Sequence, residues 1–137
     1  MAASPVFIGT PKSWLARVTA ANTTPDANVT TNLVVLATGA ATGTRIERLN
    51  VTHAPALATT ANTVGMIRVY HKVSTTYRLV KELTMAVATR TASVAGSTNE
   101  WVRSDGQPIF ILASGEELVV GTQVAEPYDI TAVGGDY

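Results

Sequence analysis

Gly65-Met66-Ile67-Arg68-Val69-Tyr70-His71-Lys72-Val73 alternates along its length. Ile67, Val69, His71 and Val73 fall on one side, and Arg68, Tyr70 and Lys72 on the other. That is the period of two of a strand with one core-facing side, not the period of about 3.6 of an amphipathic helix. A tight turn at Ser74-Thr75-Thr76 leads into a second strand over 77–86, so the pair reads as an antiparallel hairpin.

Working outward, the same short bursts recur. Residues 13–20 set Trp14, Ala16 and Val18 against Leu15, Arg17 and Thr19. Residues 22–31 are polar, hold Pro25-Asp26 and read as a loop. Residues 32–38 predict a buried strand and 39–43 a turn. In 44–53 the step from Ile46 to Leu49 breaks the alternation, which predicts a bulge near Glu47-Arg48. Residues 55–64 read as a small-residue loop, and 87–97 as a low-complexity stretch without pattern. Strands over 99–103, 108–113, 117–124 and 128–133 complete the set. Pro5 and Pro11 bracket Val6, Phe7 and Ile8, and two prolines forbid a central strand, so 5–11 is an edge strand or an extended arm.

Composition agrees. The 137 residues include 21 threonines and 17 valines, β-branched residues whose stiff side chains suit a pleated sheet. Short strands separated by Gly, Pro, Asn and Asp clusters predict an all-β fold, a single antiparallel β-sandwich over 1–137 with an extended arm at 1–12. No linker or repeat divides the chain.

Several function classes recede. Ten Lys and Arg balance ten Asp and Glu, and only 15% of residues are charged, so the chain has no electrostatic handle on nucleic acid. With no cysteine there is no disulfide framework, thiolate metal site or thiol nucleophile. The opening Met-Ala-Ala-Ser-Pro-Val-Phe lacks the pattern of a signal peptide, and no apolar run approaches the roughly 20 residues of a membrane-spanning helix. The Asn-X-Thr sequons at Asn22, Asn28 and Asn50 are expected to be chance matches in a threonine-rich chain.

Candidate chemistry is sparse. His53 and His71 are the only imidazoles, and each is expected to be a structural histidine at the edge of the core. Glu116 and Glu117 are adjacent, so in a strand they point to opposite faces, and they read as solvated turn residues. Glu126, Asp129 and Asp136 could offer oxygens to calcium, but no cation loop surrounds them. No Gly-X-Ser-X-Gly elbow is present. Trp14, Trp101, Tyr70, Tyr77 and Tyr128 read as core and rim residues, the rival being a sugar-stacking platform. The closing Gly134-Gly135 is expected to let the backbone leave the sheet or pass close to another chain.

Five strings carry a resemblance: Phe7-Ile8-Gly9-Thr10-Pro11 with Trp14, Ala20-Ala21-Asn22-Thr23, Gly43-Thr44-Arg45-Ile46-Glu47-Arg48-Leu49, Gly65-Met66-Ile67-Arg68-Val69-Tyr70, and Ala132-Val133-Gly134-Gly135-Asp136-Tyr137. Together they resemble small virion-associated proteins encoded beside the capsid genes of tailed bacteriophages; residues 87–97 have no counterpart there. The resemblance implies a capsid decoration or cement protein, jelly-roll-like, made in the bacterial host cytoplasm and bound to the outer capsid surface. Its implied partners are the major capsid protein and further copies of itself, as a dimer or trimer, with no cofactor, metal, nucleic acid or membrane. Phe7, Ile8, Pro11, Trp14 and Tyr137 are the candidate contact residues. Phe7 and Ile8 would serve as apolar anchors on a neighbour or close the chain's own sandwich. The alternative function is a tail or adhesion module that binds host glycans; a minor enzyme or metal protein is the third.

Overall fold

A computed structural model describes residues 9–24, 28, 30–54, 64–91 and 93–137. Among these residues there are nine strands: β1 Thr10–Val18, β2 Val34–Thr38, β3 Thr44–His53, β4 Gly65–Val73, β5 Thr76–Met85, β6 Thr98–Val102, β7 Phe110–Leu112, β8 Glu117–Thr122 and β9 Tyr128–Asp136. They form two antiparallel sheets. Sheet A runs β1-β9-β3-β6, with β7 beside the start of β3, and sheet B runs β2-β8-β4-β5. The pairs nest: β1 with β9, β2 with β8, β3 with β6 and β4 with β5.

The inner faces meet in one core. Ile46, Leu49, Val51, Ile130 and Ala132 of sheet A pack with Ile67, Val69, Leu83, Leu118 and Val120 of sheet B. Each of these strands presents every second residue to the other sheet, as the alternation in 65–73 requires. β3 and β4 have the bounds expected from the sequence. β4 and β5 join through Ser74-Thr75, with Val73 opposite Thr76, and Ser74 takes the positive φ (55°) that this two-residue turn demands.

The expected bulge is present. Ile46 lies opposite Gly134 and Arg48 opposite Val133, so Glu47 is the extra residue, and Leu49 returns to the core face. The bulge accounts for Gly134. A Cβ there would overlap the Arg45 carbonyl oxygen and lie 2.9 Å from Arg45 C and 3.0 Å from Ile46 Cα. This corrects the reading of the terminal glycines: the backbone stays in sheet A through Asp136, and the close approach is to the chain's own β3.

Other boundaries move for physical reasons. β1 begins at Thr10, not Ser13, because an edge strand tolerates Pro11; Thr10–Lys12, assigned to the arm, pair with Asp136, Gly135 and Gly134. β2 begins at Val34, after Asn32 at positive φ (62°). The loop expected over 55–64 lies outside the described residues except for Val64. Sheet B is covered on its outer side as well. Asn22 N–H donates to Thr122 O at 2.7 Å, Arg68 Nη1 reaches Asn22 O at 3.4 Å, and Leu33 Cδ2 occupies the space a Cβ on Gly121 would need, 2.5 Å away. Asn22 and Leu33 therefore lie over β8 and the Arg68 end of β4, and Arg68 and Tyr70, on the polar side of their strand, are only 6% and 1% exposed.

Candidate contact surface

The described contact candidates sit mostly at one corner of sheet A. β1 starts where β9 ends: Thr10 faces Asp136, and Pro11 faces Gly135. Gly9 N–H donates to Asp136 O at 2.8 Å, and Tyr137 N–H to Gly43 O at 3.1 Å. The buried Asp136 carboxylate accepts from Thr44 Oγ1 at 2.6 Å and pairs with Lys12. Ala40 N–H in turn donates to Thr44 Oγ1 at 2.9 Å. These bonds tie β1, β9, β3 and the turn between β2 and β3 into a rigid mount for the point where the chain enters the sheet. Pro11 is exposed there, and the Tyr137 ring lies against Gly43. Trp14 differs: it faces inward opposite Ala132 and packs half-buried on the core. Phe7 and Ile8 lie outside the described residues.

Three carboxylates, at this corner and elsewhere in the fold, are held ionised by their partners. Lys12 first, then the Thr44 hydroxyl, holds Asp136 below the usual carboxylate range. Arg17, donating through Nε and Nη2 at 2.6 and 2.8 Å, does the same for Asp129. Glu116 is lowered chiefly by the Ala113 N–H and then by His71. Unfolded, these groups take up protons near 3.8 (Asp) and 4.5 (Glu), whereas the folded protein resists protonation to lower pH. The unfolded state thus binds more protons as pH falls, and the stability these groups contribute above about pH 5 is lost as pH drops through their folded values. The melting temperature should therefore hold between pH 7 and about 5 and fall below about 4.5, and Asp136→Asn should flatten part of that fall. A melting temperature constant down to about pH 3 would contradict the pairing.

The remaining chemistry is dispersed. His71 Nε2 lies 2.8 Å from Glu116 Oε2, and its ring meets Phe110 edge-on at 4.8 Å between centroids. Glu116 is therefore a bonded partner and not the solvated turn residue expected. Glu117 likewise pairs with Lys72. His53 is 1% exposed, with Nε2 3.2 Å from Glu126 Oε2 and its ring 5.3 Å from that of Tyr128. Ser97 is also buried, and its carbonyl accepts the His53 N–H, yet neither Ser97 Oγ nor His53 Nδ1 has a hydrogen-bond partner. A serine nucleophile needs its hydroxyl bonded to the imidazole, and this pair lacks that bond.

Asp129 and Asp136 stand at opposite ends of β9, each with its own cation. Among the described residues no three His, Asp or Glu side chains come together as a metal site would require, and no helix is long and apolar enough to cross a membrane. The aromatics do not form a platform: Tyr70 and Tyr128 are buried, Trp14 and Trp101 pack against the core, and Lys81 Nζ lies 5.9 Å from the Trp101 ring centre. Hollows open on the surface of the described residues. One of 470 Å³ is lined by Asn50, Thr52 and Glu100 among others, and one of 530 Å³ runs along Gln107 to Ile111. Neither has a histidine in its wall.

No protein-family model matches the chain, and no curated protein is significantly similar to it.

Proposed function

We propose that the protein is a non-enzymatic structural component of a tailed-phage virion, a decoration or cement protein on the outer capsid surface with the major capsid protein as its partner. The observation that carries this reading is the corner of sheet A, where Pro11, Tyr137 and the root of the N-terminal segment gather on bonded β strands. The apolar string Val6-Phe7-Ile8 directly precedes this corner in the sequence, and a segment anchored at one end docks at lower entropic cost than a free one. The nested strand pairing supports the jelly-roll reading. A net charge of zero adds little repulsion between crowded copies, and repetition over a shell supplies avidity.

Heads assembled without the protein should release DNA at a lower temperature or a milder osmotic shock than complete heads. Quantitative mass spectrometry should find hundreds of copies per particle. The double variant Phe7→Asp, Ile8→Asp should lose head binding while keeping its melting temperature. Heads equally robust without the protein, or only a handful of copies on each, would end the cement reading.

A further inference from the structure

Every open sheet edge is a row of unpaired N–H and C=O groups, and proteins blunt such edges with short strands, bulges, prolines or outward charges. Among the described residues the two sheets leave four edges, and three of them are blunted along their length. β2 has five residues and is bulged between Val35 and Ala37. β6 also has five, and its Asn99 Nδ2 reaches across to Thr84 O at 2.9 Å. β5 is long, but its register breaks opposite Val69/Tyr70, and it carries Arg78, Lys81 and Glu82.

β1 is different. Its nine residues pair with β9 in unbroken register. Thr10, Pro11, Lys12 and Ser13 are exposed whichever face they occupy, so the first half of the strand stands clear of sheet B. Its two cations are turned back onto its own sheet, Lys12 to Asp136 and Arg17 to Asp129, and do not guard the edge. Between them Leu15 is 72% exposed, the most exposed large apolar residue described.

We infer that the β1 edge is a pairing site for a second copy of this chain, joined antiparallel about a two-fold axis through Leu15. That axis sets Leu15 against Leu15 of the other copy, Trp14 against Ala16, Ser13 against Arg17 and Lys12 against Val18. No like charges meet, and the exposed leucine is covered by itself. Both faces of the pairing are supplied by one surface, as a closed two-fold contact requires. Another protein's strand would gain the same backbone bonds but has no reason to match Leu15, so the charge pattern and the apolar residue favour self-pairing. Sheet A then runs continuously through both copies. One added strand covers less than the roughly 1,200 Å² at which standard interfaces begin, so the dimer is reversible.

The inference concerns the free protein and stands apart from the shell-binding proposal. Sedimentation of the full chain should show a concentration-dependent monomer–dimer equilibrium below about 1 mM. Leu15→Lys, which opposes two like charges, should remain monomeric with an unchanged melting temperature, since Leu15 is 72% exposed in one copy. The chain has no cysteine, so Leu15→Cys places one thiol on the axis within disulfide reach of its twin. It should cross-link about tenfold or more faster than Val102→Cys on the opposite edge of sheet A. A wild-type chain that stays monomeric or forms trimers, or equal cross-linking of the two cysteine variants, would overturn the inference. A wild-type chain that dimerises yet does not bind heads would instead count against the shell role alone.

Discussion

Gly134→Ala is expected to destabilise the protein by about 4 kcal/mol, lowering its melting temperature by roughly 10–15 °C. The added carbon collides with backbone, not with a side chain that could rotate away: the Arg45 carbonyl, and Ile46 Cα at 3.0 Å. Gly134 lies between β1 and β3, opposite Lys12 on one side and Ile46 on the other, so neither neighbour can retreat without breaking a ladder. The bulge at Glu47 brings the β3 backbone this close, and relieving the clash would mean undoing the bulge and turning Ile46 or Leu49 out of the core. Gly96→Ala is the control. Its nearest neighbours would lie at 3.4 Å or more, an ordinary contact, and its cost should stay within about 1 kcal/mol. Thermal unfolding followed by circular dichroism measures both, and equal shifts would remove the claim that the bulge dictates the glycine.

The second large effect belongs to Leu49. It is 0% exposed on the core face of β3, flanked by Ala132 on β9 and Trp101 on β6. Truncation to alanine leaves a cavity between two packed sheets that cannot close around it, at a cost of about 2–5 kcal/mol. Leu15→Ala removes the same atoms from the outer face of β1 and should change monomer stability by no more than about 0.5 kcal/mol. Urea unfolding at a concentration low enough to keep the chain monomeric provides the comparison. Similar midpoint shifts for the two would mean that the assignment of faces in sheet A is wrong.

Much of this could be read along the chain. In 65–73 and 44–53 the alternation is strong enough to place both strand ends, and the spacing of Ile46 and Leu49 located a bulge before any pairing was known. Ala21, Asn22 and Leu33 carry no sign that they lie against sheet B, so the burial of Tyr70 and Arg68 could not be foreseen from a strand that looks one-sided. β9 was read as ending at Val133 because glycines weaken a strand; the reason for Gly134 lies on β3, nearly ninety positions earlier. The partner of His71 was missed for the same cause: Glu116 looks like a solvated turn residue until β8 is laid beside β4. Of the contact candidates, Pro11 and Tyr137 fall together at a corner, whereas Trp14, named with the resemblance, turns into the core.

Local order along the backbone thus determined the class of fold, the face each strand residue takes and the absence of cysteine chemistry, because alternation and β-branching act between near neighbours. Which strands lie side by side was decided only in three dimensions. So were the ion pairs that draw Lys12 and Arg17 away from the edge and the exposure of Leu15 there. Those outcomes depend on contacts such as Arg17 with Asp129, 112 positions apart, and no periodicity in a one-dimensional string encodes which distant segment will close a sheet and which edge will be left unpaired.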